Sequence, residues 1–147
     1  MKYLFVFTSL CFSIGIVNAS PFLVSPQEVE ASYNAPVVFV AKSVPVKDAP
    51  LIHLVMPQLG MPIESPTPIE LRFEPIQPSK IKVETLKVLY GAFQLDITKR
   101  ILGVAEVTAK GVQVREAKLP PGKHKLTVIL EDSEGRLGEK LIEFEVR

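Results

Sequence analysis

Two histidines, His53 and His124, and a single cysteine, Cys11, are the chain's whole supply of imidazole and thiol. Nucleophilic catalysis needs an activated Ser, Thr or Cys beside a base, and no Gly-x-Ser-x-Gly arrangement occurs. No glycine loop is built to cradle a phosphate. Asp48, Asp96 and Asp132 lie far apart and form no Asp-x-Asp calcium cage. Paired carboxylates can hydrolyse glycosides, and Glu70 with Glu74 or Glu143 with Glu145 would supply them. Period-2 alternation puts both pairs on outward strand faces, where charge discourages aggregation. No catalytic, metal or cofactor residue is assigned, and the chain is expected not to be an enzyme.

Two polar clusters remain as a candidate surface site. Asp96-Ile97-Thr98-Lys99-Arg100 is the most distinctive. Asp96 or Thr98 can cap a turn and Arg100 can pair with Asp96; the alternative is a small polar patch at a strand end. The second cluster is Lys123-His124-Lys125, which with Lys118 forms a local basic patch near Pro120-Pro121. It is either ordinary surface charge or a contact for an anionic glycan or lipid head group. His124 itself is read as a corner residue with a satisfied ring nitrogen, against the alternative of a ligand or pH sensor.

These residues need elements to hold them. Met1-Lys2, an apolar run to Val17 and the end Val17-Asn18-Ala19 have the order of a secretory signal peptide over residues 1–19. The run is too short and too broken for a bilayer span. A cut after Ala19 removes Lys2, bringing the seventeen basic side chains level with the sixteen acidic ones, and removes Cys11. The exported chain would be soluble and free of disulfides, resting on a hydrophobic core alone. A neutral exported protein is not expected to bind nucleic acid.

Residues 20–50 are expected to be a short helix and a proline-rich linker. Ser25-Pro26-Gln27-Glu28 fits a capping box, predicting a helix over Pro26–Tyr33. Val37–Val40 would be an extended anchor. From Leu51 onward apolar residues alternate as in strands: Leu51–Met56; Ile69, Leu71, Phe73; Leu86, Val88, Tyr90; Phe93, Leu95, Ile97; Val104–Thr108 and Val112–Val114 around a Lys110-Gly111 turn; Leu126, Val128, Leu130; and Ile142, Phe144, Val146. Thr98–Leu102 could be a helical turn, and Gly135 would close the last hairpin. Seven to eight short strands at this spacing predict an all-β sandwich over residues 51–147. Most of the aromatic residues are placed in its core.

Two segments carry a resemblance. Pro57-Gln-Leu-Gly60 with Ser65-Pro66-Thr-Pro-Ile-Glu-Leu-Arg-Phe73, and Leu119-Pro-Pro-Gly122-Lys-His124 through Asp132-Ser-Glu-Gly135, together resemble bacterial immunoglobulin-like domains. The resemblance implies a seven- to eight-stranded immunoglobulin-like sandwich, with His124 near the place of the tyrosine that pins the strand corner in such folds. The antibody Cys pair and Trp are absent. The same segments resemble periplasmic copper-carrier sandwiches, whose ligands include a His near the mature N-terminus and another in the last hairpin. Here those places read Ser20-Pro21 and Ser133-Glu-Gly-Arg136-Leu137, so the fold carries over and the metal site does not.

The function expected is that of an exported, non-catalytic interaction or accessory module of the bacterial envelope. It would be periplasmic or secreted, a monomer or weak dimer, with a protein or other envelope component as partner and no cofactor. The alternative is a sandwich binding a small ligand, a carbohydrate or copper. An aromatic side chain exposed on a concave face would favour the carbohydrate version.

Overall fold

The computed structural model describes residues 22–36 and 46–147. The leader expected over residues 1–19, Cys11 and the anchor expected at Val37–Val40 lie outside them. Along the chain come α1 (Pro26–Asn34), β1 (Leu51–Met56), β2 (Thr67–Glu74), β3 (Ile81–Tyr90), β4 (Leu95–Asp96), α2 (Thr98–Leu102), β5 (Glu106–Thr108), β6 (Gly111–Ala117), β7 (Gly122–Asp132) and β8 (Leu137–Val146). The strands form two four-stranded antiparallel sheets, ordered β1-β2-β6-β5 and β4-β3-β7-β8.

The alternation behind each strand decides which face is buried. β2 buries Thr67, Ile69, Leu71 and Phe73, and exposes Pro68, Arg72 and Glu74. Val112 and Val114 on β6 extend this set within the same sheet, and the other sheet contributes Leu86, Val88 and Tyr90 on β3, Leu126, Val128 and Leu130 on β7, and Ile142, Phe144 and Val146 on β8. Both sheets thus share one apolar cluster, an arrangement compatible with a β-sandwich. Each fully buried Val, Leu, Ile or Phe there is worth about 1.5–3 kcal/mol. The link between β1 and β2 also bridges to the end of β8, where Ile63 N–H donates to the Glu145 carbonyl at 2.9 Å and Arg147 N–H donates to the Ile63 carbonyl at 2.9 Å.

Residues ahead of β1 contribute to the same cluster. Leu23 is 4 %, Val24 0 % and Val29 8 % exposed. α1 starts as the capping box predicts: Ser25 N–H donates to Glu28 Oε2 at 2.7 Å, and Glu28 N–H to Ser25 Oγ at 3.2 Å.

Two local expectations are corrected. Phe93, Leu95 and Ile97 alternate as a buried strand would, yet only Ile97 is buried; Phe93 is 64 % exposed. Gly91 and Gln94 both take left-handed backbone, φ 70° and 53°. They close the link from β3 so tightly that only Leu95 and Asp96 pair with it. In the β5–β6 hairpin, Thr108 pairs with Gly111. The turn is therefore Ala109-Lys110, one residue earlier than expected. Gly111 sits in the ladder because a Cβ there would run into the Leu71 carbonyl oxygen.

Candidate functional site

The Asp96 cluster resolves into internal contacts. Asp96 Oδ1 accepts from Thr98 N–H at 2.9 Å, and Thr98 Oγ1 accepts from Val88 N–H at 2.9 Å. Thr98, through hydroxyl and backbone, holds the Asp96 carboxyl below its usual range. The expected Arg100–Asp96 pair is replaced by another. Arg100 forks onto Glu28, Nη1 to Oε2 at 2.9 Å and Nη2 to Oε1 at 2.8 Å, and Nη1 also donates to the Leu23 carbonyl at 3.2 Å. A bidentate guanidinium–carboxylate fork outcompetes a single-point contact. It lowers the Glu28 pKa to about 2, with the two Ser25 hydrogen bonds adding to the effect and burial opposing it. Arg100 therefore clamps α1 onto the turn of α2.

His124 lies 2 % exposed on the inward face of β7. Its Nε2 is 2.9 Å from the Pro120 carbonyl and its Nδ1 is 3.1 Å from the Tyr90 hydroxyl. A carbonyl only accepts, so Nε2 carries the proton and Nδ1 accepts from Tyr90. The ring stacks on Phe144 at 5.3 Å and 19° and meets Tyr90 at 5.9 Å. Burial pushes His124 below its ordinary pKa, and burial also raises the Tyr90 hydroxyl to about 12. The imidazole is thus a neutral bracket between β3 and the turn ahead of β7, with both nitrogens engaged.

The neighbouring positions on β7 face the other way. Lys123 and Lys125 line an open groove of about 530 Å³, together with Ser32 and Tyr33 of α1, Ala92 and Gln94 of the β3–β4 turn, and Glu143 and Glu145 of β8. The strand register sets Lys123 opposite Glu145 and Lys125 opposite Glu143. The second pair is in contact at 3.6 Å, both side chains well exposed. α1 forms the wall because Ser32 Oγ accepts from Ala92 N–H at 3.1 Å. Gly91 permits that approach: a Cβ there would lie 2.5 Å from Ser32 Oγ. Gln94 donates its amide to the Gly91 carbonyl at 3.1 Å. Tyr33 is 73 % exposed on the rim.

Of the six residues singled out from sequence, Lys123 and Lys125 open onto this groove and His124, 2 % exposed, lies behind it, whereas Asp96, Thr98 and Arg100 do not line it. Sequence reasoning named Glu28 only as a helix-capping residue and passed over Ser32 and Tyr33. The capping box marked Glu28 as special, but nothing local marked the other two. The aromatic residues also divide differently from expectation. Phe73, Tyr90 and Phe144 are buried, while Phe22, Tyr33 and Phe93 are exposed.

His53 stands elsewhere, on β1, with Nε2 2.9 Å from Glu74 Oε2. Among the described residues no three His, Cys, Asp or Glu side chains gather so that they could hold a metal ion. None of the described helices is long and apolar enough to cross a membrane. No family model, curated protein or solved structure matches the chain.

Proposed function

We propose that this chain is an exported, non-catalytic immunoglobulin-like sandwich that serves the bacterial envelope as a binding module, through the groove between α1 and the β7–β8 ladder. The observation that carries the reading is the division of polar groups on β7. His124 is closed off inside the fold, while Lys123 and Lys125 line a groove large enough for a ligand or a partner's segment.

Strand order supports the immunoglobulin-like type. Such sandwiches pair their first, second, fifth and fourth strands in one sheet and their third, sixth and seventh in the other. With the two-residue β4 counted as an addition beside β3, the orders β1-β2-β6-β5 and β3-β7-β8 match. His124, bonded to a carbonyl four residues upstream, takes the corner role that a tyrosine has in that fold. The signal-peptide pattern of residues 1–19 supports export.

The test is capture from a bacterial envelope fraction with the exported chain as bait, beside a Lys123→Glu, Lys125→Glu double variant. Partner recovery that the double variant abolishes is expected. Recovery equal for both baits, or none above background, overturns the groove as the working surface.

A further inference from the structure

The chemistry of the groove selects among envelope components. We propose that it takes a neutral oligosaccharide, with the Tyr33 ring as the stacking wall and the β7–β8 ladder as the hydrogen-bonding floor. The inference rests on the groove being the binding surface and adds the class of ligand.

Three observations carry it. Tyr33 leaves 73 % of its surface to solvent on the rim of a concave site. An exposed ring there offers a flat apolar face with a polar tip. A sugar ring is its complement, with one face of C–H groups and a rim of hydroxyls. The floor then sets the charge. Two lysines stand in register with two glutamates, so an anion or a cation meets as much repulsion as attraction. Lysine only donates and glutamate only accepts, whereas a hydroxyl does both. Rows of paired donors and acceptors therefore suit a neutral polyol. Finally, a volume of about 530 Å³ falls within the range of small-ligand sites. Gln94 adds a carboxamide whose nitrogen is already tied to the Gly91 carbonyl, leaving its orientation settled before a ligand arrives. Its backbone φ of 53° is unusual for a non-glycine residue and matches the tendency of such strain to collect at binding sites.

The chain reports on its own binding. It has three tyrosines and no tryptophan. Tyr90 is buried, so among the described residues Tyr33 is the tyrosine an aqueous quencher can reach. The experiment screens the exported chain, residues 20–147, which lacks Tyr3, on an array of neutral glucan and N-acetylglucosamine oligomers beside sulfated and uronic-acid oligomers. The tightest neutral binder is then titrated against iodide quenching. Expected is saturable binding to a neutral oligomer, protection of tyrosine emission by at least 3-fold, and a 10-fold or greater loss of affinity in Tyr33→Ala. Tyr33→Phe, which keeps the ring, should bind within 3-fold of the parent. Tighter binding to the charged oligomers overturns the proposal. So does neutral binding that Tyr33→Ala leaves intact. Absence of any oligosaccharide binding while envelope capture still depends on Lys123 and Lys125 also overturns it, and leaves the groove standing as a protein-binding surface.

Discussion

Along three consecutive residues β7 serves two different environments. His124 faces a corner where each ring nitrogen has a partner inside the protein, and Lys123 and Lys125 face a groove where the Lys125–Glu143 pair lies exposed. The strand's period of two does the sorting. The lesson concerns how chemical potential is distributed. The residue type most often recruited for catalysis or ligation is held neutral and structural, while ordinary lysines take the accessible positions. Polar groups in the corner carry stability because losing one leaves another unsatisfied and buried. Those in the groove carry little, since exposed ion pairs are screened.

That contrast can be broken most forcefully at His124. His124→Ala should orphan both the Tyr90 hydroxyl and the Pro120 carbonyl and leave a void beside Phe144, costing about 3 kcal/mol. Urea denaturation measures it. A loss below about 1 kcal/mol would mean the corner relaxes around the gap and is no bracket.

Acid should probe the same residue. Burial lowers the folded-state pKa of His124, so below the unfolded value of about 6.5 the unfolded chain takes up a proton that the folded chain resists. Its stabilising contribution is complete above that pH and declines as pH falls, by up to about 1.4 kcal/mol per unit until the folded group also protonates. Urea midpoints at pH 7.5, 6.0 and 5.0 should fall for the parent. They should fall less for His124→Phe, and parallel declines in both would sink the assignment.

Arg100→Ala comes next in size. The fork onto Glu28 is partly exposed, which limits its loss to about 1 kcal/mol. The stronger signature should be faster proteolytic cleavage between residues 22 and 36 at unchanged β content. Equal cleavage rates would show that apolar packing alone seats α1.

The smallest stability effects belong to the groove. Tyr33→Ala and Lys125→Ala should each shift stability by no more than about 0.5 kcal/mol. A thermal melt checks this, and a large shift in either would erase the distinction between corner and groove.

How much of this the sequence displays depends on the range of each interaction. α1 was legible because its capping box is local, Ser25 and Glu28 lying three residues apart. β2, β3, β7 and β8 were legible because alternation is local as well. Phe93 misled because its spacing fits a strand, while the left-handed backbone at Gln94 has no pattern signal in a residue that is not glycine. Pro120 lies only four residues from His124, but Glu28 lies 72 residues from Arg100 and Tyr90 lies 34 from His124, and no spacing rule reaches so far. The groove was hidden for the same reason. Its wall, rim and floor come from α1, the β3–β4 turn and two strands, brought together only by the closed fold.

The Glu28 carboxylate has a consequence for how the molecule is made. One side chain completes the helix cap through Ser25 and anchors the helix to Arg100. A nine-residue helix is too short to persist alone in water. Its winding and its docking should thus be one cooperative event, which waits for α2 and the β3–β4 turn to form. The stretch of α1 that leaves the ribosome early should become ordered late, and protection of the α1 amides in a refolding experiment should mark completion of the fold rather than its beginning.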